Sequence, residues 1–356
     1  MFKKSVEKDD PETLLRRELA RLVDPSSTHP HDPDLASESA ELDLVRLAAE
    51  HRVSSNLRTH FPAVESLRVL WLADSSHENK QREHDLVVLE ELEKHLDVIV
   101  LKGSISKQLL NPELPRRSSD LDVLVRVEDV DRAGEILTAI GYLPDTTFES
   151  WEDYRTQHHH DAPFVKEAAI RHTVEVHRHP LRYPVGLCTP IDRFWDGAVD
   201  IELGSRTVRR LGDVDFALNL AVHCFEGEPT ALRSVAETAA SFQRLSDEQR
   251  IELIASTESP ILAEALLWSL MLVNLTFRST IPVATIDELA SRSEMSTLRL
   301  RTGTRIIRRF GTDLRARHGV VAGMRIFFSG NGLKNATTMA FQEARSAAAK
   351  RSRTSG

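Results

Sequence analysis

The chain has 356 residues, 41% hydrophobic and 28% charged, a composition that supports one large or two modest cores and excludes disorder as the default. Cys188 and Cys224 are the only cysteines, which excludes a disulfide framework and a Cys-x-x-Cys metal clip. With no apolar secretory stretch after Met1-Phe2-Lys3-Lys4, a reducing, cytoplasmic setting is expected. The net charge of −8 is uneven: residues 299–356 carry eleven arginines and two lysines against Asp313 and Glu343, a net of +11, leaving −19 for residues 1–298.

Residues 1–82 read as an N-terminal helical region. Leu14, Leu15 and Leu19, then Leu42, Val45, Leu47 and Ala48, recur at helical spacing on either side of a Pro- and Ser-rich loop near residues 25–33. Residues 83–190 read as an α/β core. Leu86, Val88, Leu89, Leu92 and Leu96 form an amphipathic helix that runs into the apolar strand Val98-Ile99-Val100-Leu101. Lys102-Gly103-Ser104 ends that strand and opens a second short helix; a polar loop over 111–119 leads to the strand 121–125. A helix with Val130, Ala133, Ile136, Leu137 and Ile140 on one face stops at Gly141. After a His-rich loop, residues 171–177 alternate as a third strand. Residues 191–298 read as a mainly helical bundle and 299–356 as a basic helical segment with a tail. The apolar stretch 260–277 is interrupted by Glu264 and Asn274, so it is expected to be a core helix and no membrane partner is expected.

Asp-x-Asp occurs four times, at Asp32/Asp34, Asp120/Asp122, Asp129/Asp131 and Asp213/Asp215. The first lies in a Pro-rich loop, the third on a predicted helix where i and i+2 point apart, and the fourth at a helix start that favours acids anyway. Only Asp120/Asp122 enters a strand, where alternate side chains share a face and both carboxylates project away from Leu121, Val123 and Val125. Two adjacent carboxylates repel unless a cation neutralises them, and such hard oxygen donors suit Mg²⁺ or Mn²⁺. Taken on its own, the pair is better explained as strand-edge acids facing solvent or Arg116 and Arg117.

Two neighbours shift that balance. At the Lys102-Gly103-Ser104 turn, Gly103 permits close backbone approach to a phosphate, the backbone N–H groups of the following helix point at it, and Lys102 adds a charge. In Thr173-Val174-Glu175-Val176-His177, Glu175 and His177 share a strand face, so a neighbouring strand would align Glu175 with the Asp pair. Three carboxylates around two metal ions form a clamp for in-line phosphoryl chemistry.

The run Val98-Ile99-Val100-Leu101-Lys102-Gly103-Ser104, then Arg116-x-x-Ser119-Asp120-x-Asp122-Val123-Leu124-Val125, then Ala133-Gly134-x-x-Leu137 with Gly141-Tyr142, then Val174-Glu175-Val176-His177, resembles the uncharacterised nucleotidyltransferase family of the DNA polymerase β-like superfamily. The resemblance spans residues 84–180. It implies an α/β (α+β) fold, a mixed-sheet core flanked by helical regions. It also implies that Asp120, Asp122 and Glu175 are the metal-holding and catalytic acids, and that Lys102, Gly103, Ser104, Arg116 and Ser119 bind the nucleotide. The reaction implied is Mg²⁺- or Mn²⁺-dependent transfer, with two ions, of a nucleoside monophosphate from a nucleoside triphosphate to an acceptor, with release of pyrophosphate.

Two rival readings remain in view. His158, His159 and His160, with His172, His177 and His179, offer imidazoles for a transition metal, but three consecutive histidines cannot all face one ion and no His-Glu-x-x-His signature occurs. A non-catalytic protein that keeps the fold and binds RNA or another polyanion through Arg299, Arg301, Arg305, Arg308, Arg309, Arg315 and Arg317 is the alternative of a different class. His223, on a predicted helix, and Trp151, Trp195 and Trp268 read as packing residues.

Overall fold

The structure, a computed structural model, describes residues 11–25, 38–118, 120–145, 161–168, 170–182, 185–226, 232–277 and 281–294, together with 300, 301 and 304. Four helices come first: α1 (Pro11–Leu22), α2 (Glu38–Glu50), α3 (Ser54–His60) and α4 (Glu65–Glu93). The central region follows as β1 (Ile99–Val100), α5 (Ser104–Leu110), β2 (Asp120–Leu124), α6 (Val130–Ala139), β3 (Leu143–Pro144), β4 (Asp161–Lys166) and β5 (His172–His177). Then come α7 (Ile191–Asp196), β6 (Val199–Leu203), β7 (Arg206–Arg210), α8 (Asp213–Glu226), α9 (Leu232–Arg244), α10 (Asp247–Ala255), α11 (Pro260–Phe277) and α12 (Val283–Arg292).

The strands form one mixed sheet in the order β3-β4-β5-β2-β1-β7-β6. Its centre is a parallel β5/β2 pair beside an antiparallel β2/β1 pair, with β7 parallel to β1. Val98 to Leu101 and Leu121 to Val125 are all buried, as continuous apolar runs in central strands require. The expected α/β class with flanking helices is therefore found. The C-terminal part is less purely helical than expected, because residues 199–210 form the β6–β7 hairpin and extend the sheet past β1. The sequence carries that signal: Val199, Ile201 and Leu203 alternate, and Gly204-Ser205 makes the two-residue turn with Gly204 at φ +64°. The strand β4, paired to β5 over its whole length, is likewise additional.

Helix α4 begins at Glu65 and runs unbroken past residue 82, so the first helix of the expected core is the second half of a longer one. Helices α8, α9 and α11 pack on one another. Helix α11 is long and apolar enough to cross a membrane, yet most of it, including Trp268, is buried among the other elements. It is a core helix here, as its interruption by Glu264 suggests. Asp215 of the fourth Asp-x-Asp pair sits in the first turn of α8 and pairs with Arg193 at 2.6 Å.

Candidate functional site

The β2 backbone places Asp122 opposite Glu175 and Asp120 opposite Thr173 on β5, in parallel register. Because side chains alternate, the face carrying Asp120 and Asp122 also carries Thr173, Glu175 and His177. On the other side of β2, the Leu101 N–H donates to the Asp122 carbonyl at 3.1 Å, which brings the next residue, Lys102, to the same face.

Asp122 is fully buried. Its Oδ1 accepts from Lys102 Nζ and lies 3.0 Å from His177 Nε2, and His177 Nε2 is also 3.6 Å from Glu175 Oε2. Its Oδ2 is buried without a hydrogen-bond partner. Ligand atoms of Asp122, Glu175 and His177 all fall within 4.8 Å of one another, the one such group among the described residues.

The charges in this cluster shift one another. Burial opposes ionisation of Asp122, but Lys102 and His177 outweigh it and hold the carboxyl well below its usual range. Burial also opposes the charge on Lys102, yet Asp122, Asp120 and Glu175 keep its pKa above the ordinary lysine value. His177 resists burial through its bonds to Asp122 and Glu175 and is raised to about 9. Glu175 goes the other way, pushed up first by burial, with the Asp122 charge adding to it.

A pocket of about 340 Å³ opens on this face, lined by Lys102, Gly103, Arg116, Ser118, Asp120 and Asp122 from the central region. Arg52 from the N-terminal helices, Arg182, and His223, Arg233 and Glu237 from the C-terminal helices complete it. Gly103 has φ +63°, a conformation that side chains other than glycine's rarely adopt. Arg116 makes a two-pronged pair with Glu237 of α9, Nε to Oε1 at 2.6 Å and Nη2 to Oε2 at 3.3 Å. Its backbone N–H donates to Glu78 at 2.8 Å.

The sequence-expected residues thus fall into distinct positions. Lys102, Gly103, Arg116, Asp120 and Asp122 line one pocket, and Glu175 stands in register beside Asp122. Asp120 is less enclosed, its Oδ1 accepting from the Ser118 hydroxyl at 3.0 Å, and it lies outside the three-residue ligand group. The Ser104 hydroxyl is turned elsewhere, donating to Asp85 of α4 at 2.8 Å. Asp85 also takes His172 Nε2 at 2.9 Å, and His172 meets the Tyr142 hydroxyl at 2.8 Å, so a buried polar chain fixes the start of α5. Ser119 and the His158–His160 cluster lie outside the described residues, as does nearly all of 299–356.

Three contributions were not expected from the sequence. His177 was visible on the Glu175 face, but its partnership with Asp122 depends on β5 lying beside β2. His223, which reads from the sequence as a packing residue, lines the pocket, held neutral by burial and by Lys102 and Arg182. Arg52 arrives from the turn after α2, and Arg233 and Glu237 from α9, all far away in sequence, and no local pattern marks them.

A mixed sheet that sets two carboxylates on one central strand, a third acid in register on the next and a glycine turn on the other side is consistent with a nucleotidyltransferase domain. The chain belongs to the family described as uncharacterised nucleotidyltransferase, whose profile matches residues 37–278. The match takes in α2 to α4 and α8 to α11 as well as the sheet, so helices on both sides are part of the family unit. No curated protein matches the chain.

Proposed function

We propose that the protein transfers a nucleoside monophosphate from a nucleoside triphosphate to an acceptor hydroxyl, releasing pyrophosphate. The observation that carries this reading is the convergence of Lys102, Gly103, Arg116, Asp120 and Asp122 on one pocket, with Glu175 in register beside Asp122. A triphosphate is the ligand that needs both the cations and the acids of such a pocket.

The donor set fits a divalent ion. The buried Oδ2 of Asp122 has no hydrogen-bond partner, and Glu175 and His177 offer further donors within reach. Asp120, Asp122 and Glu175 are hard oxygen donors suited to Mg²⁺ or Mn²⁺, two ions in this reading, and His177 would serve as a nitrogen donor only after giving up the proton it shares with Asp122. Bound ions would supply charge neutralisation at the reacting phosphate.

The chain's own groups do the rest. Lys102 and Arg116 orient the phosphates, and Arg182 and Arg233 add positive charge around the same pocket. The acceptor oxygen attacks the α-phosphorus; a new P–O bond forms, the bond from the α-phosphorus to the oxygen bridging to the β-phosphate breaks, and pyrophosphate leaves with that electron pair. The acceptor proton passes to Glu175. Positioning and charge neutralisation account for most of the rate enhancement in such transfers.

The test is incubation with each nucleoside triphosphate and Mg²⁺ or Mn²⁺ in the presence of cell extract, following pyrophosphate release and label transfer from the α-phosphate. Metal-dependent release that disappears in Asp120→Asn is expected. Absence of nucleotide binding and turnover, with salt-dependent RNA binding in their place, would transfer the assignment to a polyanion-binding protein.

A further inference from the structure

The pocket containing Asp120 and Asp122 adjoins a second cavity of about 810 Å³, and Arg52, Arg116, Ser118, Arg233 and Glu237 line both. Asp120 and its register partner Thr173 mark the junction, Asp120 lining the smaller space and Thr173 the larger. Glu175 is the next residue on the Thr173 face of β5. A molecule seated in the larger cavity therefore approaches the carboxylate face from its Asp120–Thr173 end, one register step from Asp122 and Glu175.

The larger cavity is strongly cationic. Arg52, Arg117, Arg171 and Arg233 line it against Asp74 and Glu237. The Glu237 carboxylate is already held by Arg116 on both oxygens. The Asp74 carboxyl is pushed up by burial despite the nearby Arg117.

Arg52 occupies a costly conformation. Helix α2 ends in a tight turn in which the Val53 N–H donates to Ala48 O at 2.8 Å and the Arg52 N–H to Ala49 O at 3.0 Å, with Arg52 at φ +59°. Glycine is the residue that this position favours, and an arginine there carries strain. The neighbouring His51 binds the start of α9, its Nδ1 accepting from Leu232 N at 3.2 Å and its carbonyl from Arg233 N at 3.4 Å. This contact sets Arg52 beside Arg233. Arg233 is pushed down to about 10 by burial first, then by Arg116, with Arg52 contributing. Two guanidinium groups crowded at one wall, one of them from a strained residue, form a place for an anion.

We propose that the 810 Å³ cavity is the acceptor subsite and takes a small molecule with an anionic group, a phosphate or carboxylate, gripped by Arg52 and Arg233 with Arg117 at the rim. The proposal rests on the transferase reading given above. The volume lies within the range of about 300–1,000 Å³ typical of small-molecule sites. The hydroxyl of that molecule faces the Asp120–Thr173 junction, forms the new P–O bond there and passes its proton to Glu175, while pyrophosphate departs from the smaller pocket.

The experiment uses the full chain with Mg²⁺ and compares the parent with Arg117→Glu, at a residue that lines the larger cavity and not the smaller pocket, and Arg52→Gly, which relieves the turn. Three quantities are read: binding of a fluorescent trinitrophenyl nucleoside triphosphate, melting temperature, and transfer of α-phosphate label into the ultrafiltrate of a cell extract or into its macromolecular fraction. Arg117→Glu is expected to keep nucleotide affinity within about twofold and to lower small-molecule labelling by more than about tenfold. Arg52→Gly is expected to melt no lower than the parent while labelling falls, a combination that a purely structural arginine would not give; because Arg52 lines both spaces, a fall in labelling that merely follows a fall in its nucleotide affinity counts against the acceptor subsite. The proposal is overturned, with the transferase reading intact, if label enters RNA or protein, if neither fraction is labelled although nucleotide binds, or if the labelled acceptor lacks an anionic group. It is equally overturned if Arg117→Glu leaves labelling unchanged or weakens nucleotide binding in proportion. A parent protein that binds no nucleotide removes the transferase reading itself, and the acceptor subsite with it.

Discussion

At Asp122, Oδ1 receives Lys102 and lies beside His177 while Oδ2 is buried and unbonded. Asp120, two residues earlier on the same face, is half-buried and bonded through its side chain to Ser118. The two acids of the pair therefore differ in what they do for the fold. Converting Asp122 to Asn leaves Lys102 and His177 facing a neutral group inside the protein, and removing one partner of a buried pair costs about 3–5 kcal/mol. Converting Asp120 removes a less enclosed charge and is expected to cost at most about 1 kcal/mol. Urea denaturation in a chelator measures the difference, with Asp122→Asn markedly less stable than the parent and Asp120→Asn close to it. Both are expected to lose nucleotide transfer. Equal stability of Asp122→Asn and the parent would show that the cluster is not held by charge pairing, and adding Lys102→Met to Asp122→Asn should recover part of the lost stability if it is.

Between elements, the pocket is assembled by long-range pairs, of which Arg116 with Glu237 is the clearest. It ties the loop before β2 to α9, and both side chains are largely buried. Burial opposes the charge on Glu237, but Arg116 overcomes it and holds the carboxyl below its ordinary value. A carboxylate whose folded pKa is depressed contributes stability that is present above the unfolded pKa and lost as pH falls through the folded one. Stability should therefore decline below about pH 4.5 partly through this pair. In Glu237→Gln that component is absent: the variant should be less stable than the parent at neutral pH, and the gap should narrow on acidification. A gap that stays constant from neutral pH to well below 4 would exclude the linkage. The same distinction between local and long-range interactions decides what the sequence revealed. The strand at Asp120/Asp122, the Gly103 turn and the strand at Glu175 were legible, because alternation and apolar runs are local signals. The pairing of Ser104 with Asp85, of Arg116 with Glu237 and of His177 with Asp122 was not, because each depends on which elements become neighbours. The β6–β7 hairpin was legible in principle from its alternation and its Gly-Ser turn, but the helical pattern around it masked the signal.

Across the molecule, one buried apolar cluster extends from Leu19 in α1 through the sheet to Leu289 in α12. The sequence divides into an N-terminal helical region, an α/β core and a helical bundle, but the packing joins them: α4 belongs to the first two, and α9 touches both α5 of the core and α11 of the bundle. The pocket follows the same pattern, since Arg52, Asp122 and Arg233 each come from a different one of the three. If the cluster acts as one core, the three regions unfold together. Of the four tryptophans, Trp71, Trp195 and Trp268 report on α4, α7 and α11; with Trp151→Phe as the background, tryptophan fluorescence samples the N-terminal region and the bundle while far-ultraviolet circular dichroism samples every helix. Coincident urea transitions by the two probes are expected, which is the behaviour of a single cooperative unit. Trp268 is fully buried at the centre of α11. Trp268→Ala should cost about 3–5 kcal/mol and move both transitions to lower urea by the same amount. If the circular dichroism transition split, with only its α8–α12 part shifting, the bundle would be an independent domain and the pocket an interface between separately folding parts.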